Sequence, residues 1–316
     1  MVNVKQAGDS NWACATLSII ILLTRLAVYR NRQNVFDLSS MLCVASILIV
    51  SARIAVNYYL LRDGSANDPQ SGSPSSFDAQ DYAAIKTGSI LAIVARLLIT
   101  TYYWLQVSLL LLFYSRAVYS RIVYEARWIT NTIRFCWLTI FTSYVAVILT
   151  TCLECRPFKL YWLLKPHPDG CVRAYIQLFT QGVANIVLDL ILLVIAVPLV
   201  LKWRIRTLSE NLRVGLLATL GTLCIIVTCI RLAYIHGANS SQVTRSFWAS
   251  IQMLVSTFVA NAPTIYGSLK LTRRRKSEQL ARRASRPEAW GMVAETAPNE
   301  CHVTIENVEP GPKLAG

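Results

Sequence analysis

The chain of 316 residues is 54% hydrophobic and 15% charged, with 31 Lys and Arg against 17 Asp and Glu, a formal net charge of +14. A soluble globular domain carries roughly a quarter charged residues, so this composition leaves too little polar surface to cover a water-soluble fold. Nor does the positive charge indicate a nucleic-acid binder: the arginines are spread over alternate short connections, with no clustering beside stacking aromatics.

Crossing a bilayer takes about 20 apolar residues, and seven such runs follow one another along the sequence. The first, residues 12–28, has Lys5 ahead of it like a signal peptide, but no small-x-small cleavage site follows, so it reads as an uncleaved anchor. The second, 38–61, contains Arg53 and Asn57. Residues 62–86, rich in Ser, Gly, Pro and Asp, read as a flexible loop. The third run, 90–113, contains Arg96 and Tyr103, and the fourth, 135–152, leads into "TCLECRPFKLYWLLKPHPDGC". The fifth, 175–201, holds Asn185 and Asp189 four residues apart in an otherwise apolar stretch. The sixth, 216–235, holds Arg231 and precedes the sequon Asn239-Ser-Ser, and the seventh, 247–269, holds Gln252. These runs predict an all-α membrane protein built as a seven-transmembrane helix bundle.

Lys and Arg accumulate in cytoplasmic connections. Here they follow the first run (Arg30, Arg32), the third (Arg116, Arg121, Arg127, Arg134) and the fifth (Lys202, Arg204, Arg206, Arg213), and recur in "KLTRRRK" at 270–276. With those inside, the amino terminus is extracytoplasmic and the carboxyl terminus cytoplasmic. The expected organisation is an outer terminus at 1–11, a membrane domain at 12–270, and a polar tail at 271–316 whose composition predicts disorder. In that tail "RRAS" offers Ser285 to a cytosolic kinase that prefers basic residues upstream; the alternative is an electrostatic anchor on anionic lipid. The outer placement of Asn239 makes it a glycosylation acceptor.

Of nine cysteines, Cys14, Cys43, Cys136, Cys224 and Cys229 lie in apolar runs and read as packing. The fourth-to-fifth connection falls outside the cytosol, where disulfides persist, and there Cys155 with Cys171 is the natural bridge. A zinc site with His167 lacks the remaining ligands, so no metal is expected.

At this connection the sequence resembles the fungal rhodopsin-like integral membrane family, which includes the membrane protein of satratoxin-type biosynthetic clusters. The resemblance is carried by Cys155-Arg-Pro, Trp162 and Gly170-Cys171, then Asn185 and Asp189, Pro198, "GTLCIIVTCIRL" with Gly221 ten residues before Arg231, "FWASIQ" at 247–252, "NAP" at 261–263, and upstream "SLLLLFYSR" at 108–116. It spans about Leu22 to Lys270. Gln106 stands where members often show a lysine and Gln252 where they often show a glutamate. The resemblance implies a receptor-like seven-helix bundle, often encoded near secondary-metabolite genes in filamentous fungi, and it supplies no reaction. It does not bring retinal: the Schiff base needs a lysine, and the last run has none before Lys270.

The intramembrane charges are the only chemistry on offer. Arg25, near the inner end of the first run, is expected to snorkel to water. Counted along the runs, Arg53, Arg96 and Arg231 fall in the outer half and Asp189 near the midplane. Arg53 is the first candidate partner for Asp189, followed by Arg96 and Arg231. One reading is structural, an ion pair with Asn185 hydrogen-bonding a neighbouring helix. The other starts from three arginines against one aspartate: a cationic cavity, lined also by Asn57, Tyr103 and Gln252, that suits an acidic or polyoxygenated apolar small molecule. The function expected is non-enzymatic binding or sensing of a metabolite in the plasma membrane or endomembrane system. The alternative is a membrane-embedded cyclase or isomerase with Asp189 as general acid.

Overall fold

The computed structural model describes residues 3–30, 37–63, 79–119, 127–161, 174–201, 208–236 and 241–284. Among these residues are seven α-helices and one short 3-10 turn, and no strand. The helices are α1 (Val4–Arg30), α2 (Leu38–Asp63), α3 (Ala79–Tyr119), α4 (Arg127–Leu153), α5 (Tyr175–Leu201), α6 (Leu208–His236) and α7 (Gln242–Ala284), with the turn at Phe158–Tyr161 between α4 and α5.

Each helix sorts its side chains in the sense opposite to a soluble protein. Along α4, Phe135, Leu138, Phe141, Val145 and Leu149 are exposed, and along α5 so are Ile176, Phe179, Val183, Val187, Leu190 and Val194. Both sets recur every three or four residues, one stripe of a 3.6-residue helix. The buried faces carry Ser18, Ser46, Arg53, Asn57, Thr100, Gln106, Gln177, Gln181 and Thr257. Apolar outside and polar inside is the arrangement a hydrocarbon solvent selects, since polar groups then find partners only within the bundle.

Consecutive helices pack side by side from α1 to α6, and α3 also touches α5. Hydrogen bonds bind α7 to the rest: Arg25 of α1 donates to the Ala260 carbonyl at 3.1 Å, Arg53 of α2 to Ser250 Oγ at 3.3 Å, and Arg231 of α6 to Gln252 Oε1 at 2.7 Å. The ring therefore closes from α6 through α7 to α1. In its middle stands α3, whose Trp104 donates to the Ile140 carbonyl of α4, Thr100 to Gln181 of α5, and Gln106 to Ser46 of α2, while its Tyr102 and Thr257 of α7 share a hydrogen bond. At 41 residues α3 is about 60 Å long, roughly twice the hydrocarbon thickness, so its ends project beyond it.

By length and composition, five helical stretches are apolar enough to cross a membrane: Val4–Val28, Leu38–Asp63, Ala83–Arg116, Thr130–Leu153 and Tyr175–Ile195. Seven were expected. α6 contributes the shorter apolar stretch Gly221–Tyr234. α7 is less apolar than these because its inward face is so polar, with Gln242, Arg245, Ser246, Ser250, Gln252, Thr257 and Asn261 all buried.

Two helix ends and one side chain add to what the sequence suggested. The segment before Trp12 is already helical, since α1 begins at Val4 and buries Ala7 and Asn11. At its other end α7 runs on to Ala284 through a segment dominated by Arg, Leu, Lys, Gln, Glu and Ala, all good helix formers. By its internal contacts the chain divides into Met1–Lys270 and Leu271–Gly316; the bundle described above is the first. Finally, Arg25 does not snorkel. It is buried, and donates to Ala260 O, Asn261 Oδ1 and Ser39 Oγ. Pro263, inside α7, lacks an N–H and crowds the preceding turn, leaving a carbonyl without its helical donor. A guanidinium at the adjacent Ala260 carbonyl supplies donors to that turn.

The start of α5 is fixed from outside itself. Glu154, just past α4, accepts the Ile176 N–H at 2.8 Å and the Gln177 N–H at 3.2 Å, satisfying two of the four donors a helix leaves open at its amino end and placing a negative charge at the positive end of its dipole. Tyr161 in the 3-10 turn donates to the Thr151 carbonyl at 2.6 Å. Burial, reinforced by the Glu154 carboxylate, pushes its phenol up to about 12, so the group stays a donor at any working pH. Glu154→Ala is expected to cost about 1 kcal/mol, the usual loss for a helix cap. Hydrogen exchange should speed up at the Ile176 and Gln177 amides and stay unchanged in α2; equal protection at both amides would mean the carboxylate is not holding them.

Candidate functional site

Arg53 sits on the inward face of α2. It donates to Asn11 Oδ1 at 3.2 Å, to Ser250 Oγ at 3.3 Å and to the Met253 sulfur at 3.5 Å, and Ser250 itself reaches Asn11 at 3.4 Å. Arg231, on the inward face of α6, donates to Gln252 Oε1 at 2.7 Å and to the Tyr103 hydroxyl at 3.4 Å, with its guanidinium carbon 5.8 Å from the Tyr103 ring centre. Because arginine can only donate, Gln252 must present its carbonyl to it, and its amide then donates to Thr228 Oγ1 at 3.0 Å. Tyr103 lies within electrostatic range of both guanidinium groups, and these lie within range of each other.

Five of the seven sequence-derived binding residues thus share one region: Arg53, Asn57, Tyr103, Arg231 and Gln252. All are buried, and every partner found for the two arginines is neutral. Neither Arg53 nor Arg231 forms an ion pair with a carboxylate among the described residues, so none balances either buried cation. The hydrogen bonds left unmade are of one kind. Asn57 Nδ2, one turn from Arg53 on α2, and Arg231 Nε are both buried donors without an acceptor. Two cations and two idle donors with no anion describe a site short of acceptors, and leaving such groups unpaired in a low dielectric is costly.

The fungal rhodopsin domain family model matches residues 25–271. The chain belongs to that family. Among curated proteins and among solved structures, no match is found. The fungal rhodopsin domain begins at Arg25, inside α1, so Asn11, the α1 partner of Arg53, lies upstream of the matched residues.

In this fungal rhodopsin-domain bundle the remaining two expected site residues stand apart. Arg96 is buried two turns before Tyr103 on α3, about 10 Å away along the axis, where its charged and titratable neighbours are Tyr161 and Glu154. Asp189 does not pair with Arg53, nor with Arg96 or Arg231. For Arg53 the reason is the helix order: α5 packs on α4 and α6 and touches α3, whereas the hydrogen bonds of Arg53 go to α1 and α7. The titratable neighbour of Asp189 is the Cys224 thiol of α6. Asn185, expected to hydrogen-bond across helices, is buried with its Oδ1 unpartnered.

Residues to which the sequence reading gave no place in the site include Asn11, Ser250 and Asn261, and the pair Gln177 and Gln181. Cys14, Cys43 and Cys136 are buried free thiols, as expected of packing residues, while Cys229 is free but exposed on α6. Cys155 is buried and is not among the free thiols; Cys171 lies outside the described residues, as do Asn239 and Ser285.

Proposed function

We propose that this fungal rhodopsin-domain protein is a receptor-like seven-crossing membrane protein that binds a small acidic or polyoxygenated apolar metabolite between Arg53 and Arg231, in the service of secondary metabolism of the satratoxin-cluster kind. The observation that carries the reading is the pair of buried guanidinium groups beside Tyr103 with no carboxylate among the described residues. A carboxylate or similar oxyanion supplies the acceptors that Asn57 Nδ2 and Arg231 Nε lack, and an apolar remainder suits a bundle interior. Seven crossings with the amino terminus outside are in keeping with the ring of helices and with the Arg116–Asp37 pair between the end of α3 and the start of α2. In this topology a Cys155–Cys171 bridge, glycosylation at Asn239 and phosphorylation at Ser285 fall in suitable compartments. Retinal has no place in the reading: from Gln242 to Leu269 α7 offers no lysine.

The test is thermal melting of the full chain in detergent with small hydrophobic carboxylic acids and with their methyl esters. Acids should raise the melting temperature and esters should not; an acid at 100 times its Kd contributes about 2.7 kcal/mol. Arg53→Met with Arg231→Met should abolish the shift, while the ligand-free double variant stays within about 1 kcal/mol of the parent. Removing two unpaired buried cations recovers desolvation that offsets the hydrogen bonds lost. No shift with any acid, or a shift that survives in the double variant, would overturn the proposal.

A second reading, a membrane-embedded cyclase or isomerase with Asp189 as general acid, gains from one observation: no arginine pairs with that carboxyl. Among the described residues the titratable neighbour of Asp189 is the Cys224 thiol, and no second carboxylic acid stands beside it. Asp189→Asn in the producing organism would then leave the protein folded and stop one pathway step, with its substrate accumulating.

A further inference from the structure

α5 carries four polar residues at four-residue intervals, Gln177, Gln181, Asn185 and Asp189, in a helix whose other face is apolar. The three amides are buried, and most of their bonding capacity is idle. Neither polar atom of Gln177 has a partner, Gln181 uses only its carbonyl to accept Thr100 Oγ1, and Asn185 Oδ1 accepts nothing. Four buried, unpartnered atoms in a row along one helix are not a packing accident that hydrocarbon tolerates, since each costs about 1 to 3 kcal/mol if nothing fills it.

Residues four apart on a helix are about 6 Å apart along its axis and turned by about 40°. The row therefore winds slowly, from Thr100 of α3 beside Gln181 to Cys224 of α6 beside Asp189. One water that accepts from one rung and donates to the next bridges about 5.6 Å, twice a hydrogen-bond length, which matches the rise. The upper end begins at Gln177, whose backbone N–H is held by the half-buried Glu154 carboxylate. The lower end is Asp189. Of the groups on the helices packed against α5, Cys224 is the titratable neighbour of Asp189; Tyr144 of α4 is bonded to Thr101, Tyr103 of α3 to Arg231, and Arg96 of α3 faces Glu154 and Tyr161.

We propose that this row is a water-filled track along α5 through which Asp189 exchanges its proton with the aqueous phase at the Glu154 end. A hydronium ion entering at Gln177 passes a proton along the hydrogen-bonded waters to one carboxylate oxygen of Asp189 and leaves water behind; release is the reverse. The track is separate from the Arg53–Arg231 pair, and stands whether or not that pair binds an acid.

The test uses the full chain reconstituted in lipid nanodiscs, open to solvent on both sides, and infrared difference spectra on changing pH, with Asp189→Asn identifying the carboxyl band. A protonated-carboxyl band should titrate reversibly, vanish in Asp189→Asn, and exchange with deuterium roughly tenfold more slowly in Gln181→Met/Asn185→Leu. That variant removes the unpartnered Gln181 Nε2 and Asn185 Oδ1 at the expense of one hydrogen bond from Thr100, so it should fold; independently of it, Gln181→Cys should react with a charged, water-soluble methanethiosulfonate while lipid-facing Val187→Cys does not. A band that ignores bulk pH, deuteration unchanged in the double variant, or Gln181→Cys as unreactive as Val187→Cys would each overturn the track.

Discussion

Asn261→Leu should cost the protein about 3 kcal/mol or more, although the two side chains have the same branched outline of heavy atoms, because the site is fully buried. Arg25 can only donate, and one of its N–H groups donates a hydrogen bond to Asn261 Oδ1 at 2.9 Å. The amide of Asn261 must therefore donate, which it does to Gln106 Oε1 at 3.2 Å and to the Thr257 carbonyl at 2.6 Å; Gln106 in turn donates to Ser46 Oγ at 3.2 Å. Leucine at 261 takes one acceptor from a buried cation and strands the Gln106 carbonyl. Gln106→Leu alone should cost about 1 kcal/mol, because Asn261 keeps Thr257 and Ser46 keeps the Leu42 carbonyl. The double variant should then be less damaged than the sum of the two, since the stranded carbonyl is gone. Thermal melts of the three variants check this; strict additivity would show that the amides do not act through one another.

Gly182→Val is expected to be comparably damaging, by steric overlap. A Cβ at Gly182 would stand 2.6 and 2.7 Å from the two Leu232 methyl carbons and 2.9 Å from its Cγ, so the missing side chain is what lets α5 and α6 close up. Leu232 is only half-buried, and its end can swing aside for a single methyl. Gly182→Ala should accordingly change stability little, with the gain in helix propensity, about 1 kcal/mol, offsetting the shift. Valine adds two branches that cannot rotate out of the contact, at a cost of about 3 kcal/mol, and the expected readout is loss of folded protein on solubilisation. Gly182→Val/Leu232→Ala should recover most of it. A parent-like yield for Gly182→Val alone would mean the helices are not in contact there.

Hydropathy made most of the bundle legible, because lipid imposes one simple demand on each segment. The run at 175–201 coincides with α5. Where a helix spends its polar residues on the interior, the same signal weakens, which is why α7 is too polar to count by composition although it closes the ring. Arg53, Tyr103, Arg231 and Gln252 were readable as a group since charged and aromatic residues in apolar runs have few places to go. The Asp189 pairing was not readable: depth along a helix follows from counting residues, but the direction a side chain faces depends on which helices are neighbours. Gln177 and Gln181 were visible in principle, as the same four-residue spacing that joins Asn185 to Asp189 extends upstream through both. Asn11 was hidden by the assumption that a helix stops where its hydrophobicity does.

The chain from Arg25 through Asn261 and Gln106 to Ser46 has one more consequence. A row of amides linked only to one another has two equivalent arrangements, since every group can turn over and donate where it accepted. A guanidinium at one end removes that freedom, for it has nothing with which to accept. The row acquires a polarity, like a water wire beside a fixed ion, and its residual entropy falls to that of a single arrangement. Four helices are thereby held by a hydrogen-bond pattern that cannot invert, which gives the inner face of α7 a fixed electrical orientation independent of anything bound elsewhere.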